Sequence, residues 1–435
     1  MDAGRSEPPC GPLHTSRLVV LWFNGMGHWI RSVQWRSLRF WRERLGPASS
    51  AAGRQPGLDL LRAVAILVVA LHHTWTDAVP EILIPVQRFG WMGVDLFFLL
   101  SGYLIGSQLL RPHATGLRPS LREFYVRRAL RILPAFLVVL AAYYLVPHLR
   151  EDPNMAPLWR FLTFTMNLGF DRSKGAAFSH AWSLCVEEYF YLLFPLVCVV
   201  LMCRPSLRWA VSAIGLVAIA GLLVRFVSWM FFVGPFLNLH GADAADAVIY
   251  PEYIYYPTYT RLDGLLIGVT LASIRFFRPA WWGWAMERGH GLGAGGLALT
   301  GCAIWLCIDR TSLSASVFGF PLLSLGLGLL LASSLSANGV LARLKLPGVG
   351  VIATLAYSFY LTHKAVMHLD RMFISNWVAL KGSVGLLIYA ATCFAAAYAL
   401  HVAVERPFLR MRERLLVRRA GFAALGRRIA LQRLS

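Results

Sequence analysis

Two ionisable side chains, Arg62 and His73, lie inside the first long apolar run of this 435-residue chain. Each residue of an α-helix turns about 100°, so the eleven steps between them bring both side chains to one face, about 16 Å apart along the axis. Asp59 falls near the same stripe. An arginine or histidine at membrane depth costs roughly a few kcal/mol and normally faces a protein interior or an aqueous cavity. The pair therefore indicates a functional site, unless Arg62 only snorkels at the helix end and the histidines bond a neighbouring backbone.

Carboxylates begin two later apolar runs. Asp95 stands near the start of the second run and would either orient a histidine, bind a hydroxylated substrate or cap its helix. Glu187 and Glu188 open the fourth run. Neighbours on a helix point about 100° apart, so only one of these two glutamates can face a given site. We count all three as candidate catalytic residues.

Four arginines, Arg122, Arg127, Arg128 and Arg131, precede Pro134 around the start of the third apolar run. Three of them, Arg127, Arg128 and Arg131, fall on one side of a helix that enters the membrane. Guanidinium groups that converge in this way can hold the phosphates of a nucleotide-like cofactor. A preference for positive charge on the cytoplasmic side would also account for several arginines at this place.

Other polar residues at membrane depth are candidates for substrate binding or for structure. Arg261 and Asp263 begin the sixth run, and each is expected to pair across the bundle. Ser183 lies in the fourth run and Tyr360 in the ninth. His363 is a second ionisable group that is expected to face the interior.

The composition indicates which class of protein contains these residues. With 57% hydrophobic residues, 15% charged residues and a mean hydropathy of +0.56, the chain is predicted to be a polytopic membrane protein. Backbone groups in lipid must bond within their own segment, so we expect an all-α helical bundle of about ten transmembrane helices. The predicted spans are 58–78, 91–110, 131–148, 183–202, 209–232, 259–276, 291–308, 317–335, 349–367 and 383–404.

The basic residues orient this bundle. With the N-terminus inside, 30 Lys and Arg residues lie in cytoplasmic segments and 8 in the opposite loops. This asymmetry predicts that both termini are cytoplasmic. It also accounts for most of the net charge of +20, so no nucleic-acid partner is expected.

The predicted organisation has three parts. Residues 1–57 form a basic cytoplasmic extension, in which 29–45 is typical of a helix that either lies on the membrane surface or is poorly ordered. Residues 58–404 form the transmembrane domain, and 405–435 a basic cytoplasmic tail. The seven cysteines include no Cys-x-x-Cys pair, so neither a metal site nor a disulfide framework is expected.

Seven short motifs occur in order across these spans. They are Arg62-x10-His73, Gly93-Val94-Asp95-Leu96-Phe97-Phe98-Leu99-Leu100-Ser101-Gly102, Arg127-Arg128-x2-Arg131-Ile132-x-Pro134, Trp182-Ser183-Leu184-x-Val186-Glu187-Glu188-x-Phe190-Tyr191, Arg261-Leu262-Asp263-Gly264, Tyr357-Ser358-x-Tyr360-Leu361-x-His363 and Glu405-x-Pro407. Over roughly residues 55–410, this order resembles the acyltransferase-3 family of integral membrane O-acyltransferases. Members of that family acylate surface polysaccharides, lipopolysaccharide, peptidoglycan and related acceptors in bacteria.

The resemblance implies an acyl-coenzyme A co-substrate, usually acetyl-CoA, and no permanently bound cofactor. It also implies that His73 and Arg62 are the essential pair and that Arg127, Arg128 and Arg131 matter for activity. Three features depart from the usual pattern: the basic N-terminal extension, His72 at a position that is commonly apolar or aromatic, and the lack of a fused esterase-like domain. A stand-alone acyltransferase is therefore expected.

Together these inferences predict a multi-pass enzyme of the bacterial inner membrane. It would move an acyl group, expected to be acetyl, from acyl-CoA to a hydroxyl of a cell-envelope or exported carbohydrate. His73 would either deprotonate that hydroxyl or carry the acyl group transiently. The alternative is a transporter or flippase of a lipid-linked sugar or small solute, which would not consume acetyl-CoA.

Overall fold

The computed structural model describes residues 55–117, 119–203 and 206–415, and these residues contain no β-strand. Ten helices of fifteen residues or more lie within these ranges. They are α1 (Pro56–His73), α2 (Met92–Ala114), α3 (Leu121–Leu145), α4 (Trp182–Cys203), α5 (Leu207–Ser228), α6 (Asp263–Phe277), α7 (Gly289–Leu306), α8 (Phe320–Leu335), α9 (Val349–Phe373) and α10 (Gly382–Leu400). The predicted all-helical bundle is confirmed. The expectations for residues 1–54 and 416–435 lie outside the described residues.

Each predicted apolar span coincides with one of these ten helices. By length and hydropathy, eight helical stretches in the described ranges can cross a membrane. The two predicted spans outside that set correspond to α6, which has only 15 residues, and to α9, whose apolar sequence is interrupted by His363 and Lys364. Side chains such as Leu193, Val200 and Phe231 project outwards, as expected for surfaces that face lipid.

Helices α2 and α6 pack unusually close together, because glycines occur on both helices at a spacing of four residues. A Cβ added at Gly102 would overlap the backbone carbonyl of Leu265. A Cβ at Gly268 would overlap that of Leu99. Small residues at this spacing let two membrane helices approach until their backbones touch. This contact holds Asp95 of α2 against the beginning of α6.

Two buried ion pairs fix the same region. Arg261 Nη2 donates to both carboxylate oxygens of Asp95, at 2.9 and 3.0 Å. Arg225 of α5 donates to Asp263 at 2.7 Å. The two guanidinium groups lie 3.8 and 5.9 Å from the centre of the Phe320 ring. Arg261 and Asp263 thus each pair across the bundle, with different partners for the two residues.

Helix α10 continues beyond its regular part. A π-helical turn, His401–Glu405, follows it, and helical residues then extend to Leu415. Helix α3 packs against this turn, and its own N-terminus is capped by Ser120, whose hydroxyl accepts the backbone N–H of Glu123. The basic first turns of α3 and the C-terminal part of this long helix therefore lie at the same end of the bundle.

Candidate active site

A polar cavity of about 370 Å³ lies beside the C-terminal end of α1. His72 and His73 form part of its wall, together with the segment that precedes α4, the segment that follows α5, and residues of α9. Its aromatic lining residues are Trp91, Phe170, Trp182, Tyr250, Tyr255, Tyr256 and Tyr360. Burial raises the pKa of the Tyr255 and Tyr256 hydroxyls, so both remain neutral hydrogen-bonding groups.

Hydrogen bonds fix how His73 presents its ring to this cavity. His73 Nδ1 lies 3.0 Å from the Val69 carbonyl oxygen and 3.1 Å from His363 Nε2. A carbonyl only accepts, so Nδ1 of His73 carries the proton. His363 Nδ1 in turn lies 2.8 Å from the Tyr360 carbonyl, which assigns its proton to Nδ1 and leaves Nε2 as an acceptor. No hydrogen bond to His73 Nε2 occurs within the described ranges, so this nitrogen is left with a lone pair for a ligand.

A third histidine, His180, packs against the ring of His363. Its ring centre lies 5.0 Å from that of His363, the same separation as between His363 and His73. The Tyr360 hydroxyl donates to the His180 carbonyl at 2.7 Å, and Ser183 Oγ then donates to the Tyr360 oxygen at 2.5 Å. Nδ1 of His180 is buried with no hydrogen-bond partner among the described residues. Despite the three rings, the described part of the chain holds no group of His, Cys, Asp or Glu arranged to bind a metal.

Two ion pairs stabilise the cavity walls. Lys364, next to His363, lies 2.8 Å from Glu151 Oε1 and donates to Ser179 Oγ at 3.0 Å. Arg310 forms a two-bond pair with Asp246, and its Nη2–Oδ2 distance is 2.6 Å. Each pair joins segments that are distant in sequence. They therefore hold the loops between helices in place around the histidines.

A second cluster of polar side chains lies further along α4, away from the cavity. Glu187 accepts a hydrogen bond from Ser101, and Ser101 Oγ lies 2.9 Å from the Tyr191 hydroxyl. The Arg128 guanidinium lies over the Tyr191 ring, 5.2 Å from its centre, and donates to Gln108 at 3.2 Å. His180, Ser183, Glu187 and Tyr191 have the spacing of one helix face and cover about 16 Å along the axis. Polar side chains thus extend from the cavity to Arg128.

The remaining candidates from the glutamates of α4 and the arginines of α3 lie where helix geometry requires. Glu187 is the glutamate that joins the second polar cluster, whereas Glu188 Oε1 is buried without a hydrogen-bond partner among the described residues. Arg127 pairs with Glu123, one turn earlier on α3. Arg131 follows Arg128 by three residues on α3, and both are near enough to Glu187 for their charges to act on it.

Two predicted catalytic residues lie away from the His73 ring. Both carboxylate oxygens of Asp95 accept hydrogen bonds from Arg261. The expectation that Asp95 orients a histidine therefore does not match its contacts. Arg62 pairs with Asp59 at 3.1 Å on its own helix. The roles of both in the reaction stay predictions.

Sequence reasoning missed His180, Lys364 and Glu151. His180 lies two residues before the recognised Trp182-Ser183 motif, and Lys364 follows His363, so both were close to identified positions. Glu151 lies in the loop that follows α3, which has no recognisable pattern. Only the folded chain shows that this loop returns to α9.

Residues 55–402 match the model of an acyltransferase domain. The chain is 25% identical over 360 residues to the O-acetyltransferase OatA of Staphylococcus aureus, covering 77% of this chain and 53% of OatA. It is 28% identical over 411 residues to YrhL of Bacillus subtilis, provisionally named a peptidoglycan O-acetyltransferase, covering 87% of this chain and 57% of YrhL. The chain thus spans just over half the length of these relatives, and no solved structure matches it.

A polytopic helical bundle that matches an acyltransferase model over most of its length defines the class as membrane acyltransferases. The chain belongs to the acyltransferase-3 family. This membership confirms the resemblance drawn from the seven motifs and favours an enzyme over the transporter alternative.

Proposed function

We propose that this protein transfers an acetyl group from acetyl-CoA, on the cytoplasmic side of a bacterial inner membrane, to a hydroxyl of a cell-envelope carbohydrate on the opposite side. The observation that carries this proposal is the orientation of the His73 ring. Its Nδ1 contacts Val69 and His363, so Nε2 is left to accept a proton from a substrate hydroxyl in the cavity. Family membership supplies the class of reaction.

His73 acts as the general base in this proposal. Nε2 takes the proton of the acceptor hydroxyl while the hydroxyl oxygen bonds to the thioester carbonyl carbon. When the tetrahedral intermediate collapses, the carbon–sulfur bond breaks and the thiolate leaves. His73 returns its proton to that thiolate, so the ring ends in its starting state. Direct transfer needs no acyl-enzyme.

The polar face of α4 supports a donor route from the opposite end of the bundle. Arg127, Arg128 and Arg131 hold the phosphates of coenzyme A, since guanidinium groups match phosphate oxygens in pairs. The acyl-pantetheine arm then follows Tyr191, Glu187 and Ser183 towards His73. The distance of about 16 Å along this face is on the scale of such an arm.

The cavity lining supports a carbohydrate acceptor. Trp182 and Tyr256 stack with ring centres 5.2 Å apart and an angle of 30° between their planes. Aromatic faces provide an apolar surface for the C–H face of a sugar ring, while neighbouring polar groups fix its hydroxyls. The provisional name of YrhL refers to peptidoglycan, and an envelope polymer of this kind is the acceptor that we propose.

The test uses the purified full-length chain in detergent or in lipid nanodiscs. With acetyl-CoA and an envelope glycan fragment, we expect release of free coenzyme A and an acetylated glycan detected by mass spectrometry. His73→Asn should lower this transfer by about 100-fold or more, because general base catalysis contributes about that much. The exposed His148→Asn serves as the matched control.

Two results would refute the proposal. One is normal transfer by a well-folded His73→Asn protein. The other is a wild-type protein that neither binds nor consumes acetyl-CoA under any acceptor condition. Acid quenching during turnover provides a separate check, because an acetyl group bound covalently to His73 would contradict direct transfer.

A further inference from the structure

The arginine cluster of α3 receives a fourth member from the far end of the described chain. The positive charges of Arg127, Arg128 and Arg131 all act on the guanidinium of Arg412. Arg412 lies ten residues beyond the part of the chain that matches the acyltransferase domain, which ends at residue 402. Sequence analysis assigned this region to a basic tail and gave it no part in the site.

The helix that follows the π-helical turn explains why Arg412 reaches this place. Glu405 faces the bundle, where its carboxylate accepts from Ser358 Oγ of α9 at 2.8 Å. Seven residues make almost two complete helical turns, so Arg412 lies on the same face as Glu405, about 10 Å further along the axis. Because α3 packs against the His401–Glu405 turn, this face carries Arg412 to the arginines of α3.

Two guanidinium groups of this cluster keep N–H donors that no carboxylate bonds in the described ranges. Arg127 is paired with Glu123. Arg128 donates to the neutral amide of Gln108, and Glu187 and Glu188 are near enough only for their charges to act on it. Arg412 lies 3.9 Å from Glu413, the limit of an ion pair, and its buried Nε has no hydrogen-bond partner within the described ranges. The four guanidinium groups repel one another, and an anionic ligand bound among them would lower this repulsion and accept from the N–H groups that are left.

We propose that Arg412 and the three arginines of α3 together bind the phosphate groups of the acyl donor. This inference rests on the proposed function, in which the donor is acyl-coenzyme A. Coenzyme A carries a pyrophosphate and a 3′-phosphate, and this end, with about four negative charges at neutral pH, matches several guanidinium partners. The C-terminal helix then forms one wall of the donor site, and α3 forms the other.

Binding of coenzyme A itself tests this assignment without acyl transfer. Titration calorimetry on the purified full-length chain should give a Kd about tenfold higher for Arg412→Gln than for wild type, the loss of roughly one charge-assisted phosphate contact. Arg412→Lys should recover part of the affinity because it keeps the charge. The matched control is Arg414→Gln, which removes the same charge from an exposed position on the same helix.

Arg128→Gln separates failure of this inference from failure of the proposed function. If Arg128→Gln weakens coenzyme A binding and Arg412→Gln does not, Arg412 is no part of the donor site and the inference is overturned. If neither substitution changes the Kd, the donor site itself is wrongly placed. Equal losses for Arg414→Gln and Arg412→Gln would also overturn it, because they would indicate general charge attraction.

An anionic lipid headgroup offers the same phosphate chemistry, so a second titration distinguishes the two sources. Phosphatidylglycerol added to the detergent-solubilised protein should compete weakly with coenzyme A. Retention of phosphatidylglycerol that depends on Arg412, together with an unchanged Kd for coenzyme A, would assign Arg412 to lipid binding and reject the donor role.

Discussion

At the scale of single residues, the site depends on which nitrogen of each histidine carries its proton. His73 and His363 have only one arrangement of protons compatible with two carbonyl partners and the contact between the rings. In the proposed mechanism, His363 would act on the reaction through His73: the Val69 carbonyl assigns the proton to Nδ1, and His363 helps to orient the ring. His363 would then be a positioning residue, comparable in role to the groups that orient a catalytic imidazole elsewhere.

Substitution of His363 tests this role. His363→Leu removes one of the two acceptors for the Nδ1 proton of His73 and leaves the Val69 carbonyl. We expect kcat to fall about 10- to 100-fold, the usual loss for an orienting partner. His363→Gln keeps a carbonyl oxygen that can accept this proton and should recover part of the rate. The KM values for acetyl-CoA and for the acceptor should change little in either variant.

A purely structural role would give a different pattern. The amount of folded protein would fall in parallel with activity, and His363→Gln would show no recovery of kcat per folded molecule. Size-exclusion profiles and thermal unfolding, measured beside the steady-state kinetics, separate these outcomes.

Sequence reasoning at this scale found residues better than it found their contacts. It identified His73, His363, Tyr360 and Ser183, because polar side chains in apolar runs stand out by their cost. It did not predict that His363, 290 residues from His73, lies within hydrogen-bond distance of it. That contact depends on how α1 and α9 pack, which no local pattern encodes.

At the scale of secondary-structure elements, the approach of α2 and α6 positions the polar residues of the core. Gly268→Leu should prevent this approach, because the added side chain meets the backbone of α2 at Leu99 and Tyr103. We expect little or no folded protein in a fluorescence-detected size-exclusion assay. Gly215→Leu is the matched control, since nothing lies within 4 Å of a Cβ at that position on α5. A monodisperse, active Gly268→Leu protein would contradict this account of the packing.

The buried Asp95–Arg261 ion pair offers a second test of how contacts between elements stabilise the bundle. Asp95→Leu leaves the buried Arg261 guanidinium without its carboxylate, which costs about 3–5 kcal/mol in comparable sites. The expected result is a lower unfolding temperature and less folded protein. Asp77→Leu should have little effect, because its pair with Arg371 is 44% exposed on both sides. Full stability of Asp95→Leu with complete loss of turnover would instead support the catalytic role predicted for Asp95.

The helices were the part of the fold most accessible to sequence analysis. Apolar runs of about twenty residues predicted ten helices, and all ten are present, because lipid selects for length and composition. The partners of each helix were not predictable. Arg261 was expected to pair across the bundle, but the choice of Asp95, 166 residues away, depends on glycine contacts between α2 and α6.

At the scale of the whole molecule, the cavity and the arginine cluster are the two ends of the proposed donor route. The excess of basic residues predicts that the arginine end faces the cytoplasm, where acetyl-CoA is available. The His73 cavity would then face the opposite side. The direction of transfer in the proposed function depends on this orientation.

Cysteine labelling measures this orientation directly. Single cysteines are introduced into an otherwise cysteine-free, active variant: Ser314→Cys beside the Arg310 loop and Arg414→Cys near the arginine cluster, both at exposed positions. With a membrane-impermeant maleimide on intact spheroplasts, we expect labelling of Ser314→Cys before permeabilisation and of Arg414→Cys only afterwards. The reverse pattern would place the His73 cavity in the cytoplasm and require acetyl-CoA to bind from the other side. Because both phosphate binding by the arginines and acceptor binding at the cavity would then occur on the wrong sides of the membrane, transfer from cytoplasmic acetyl-CoA to an exported glycan would be excluded for this protein.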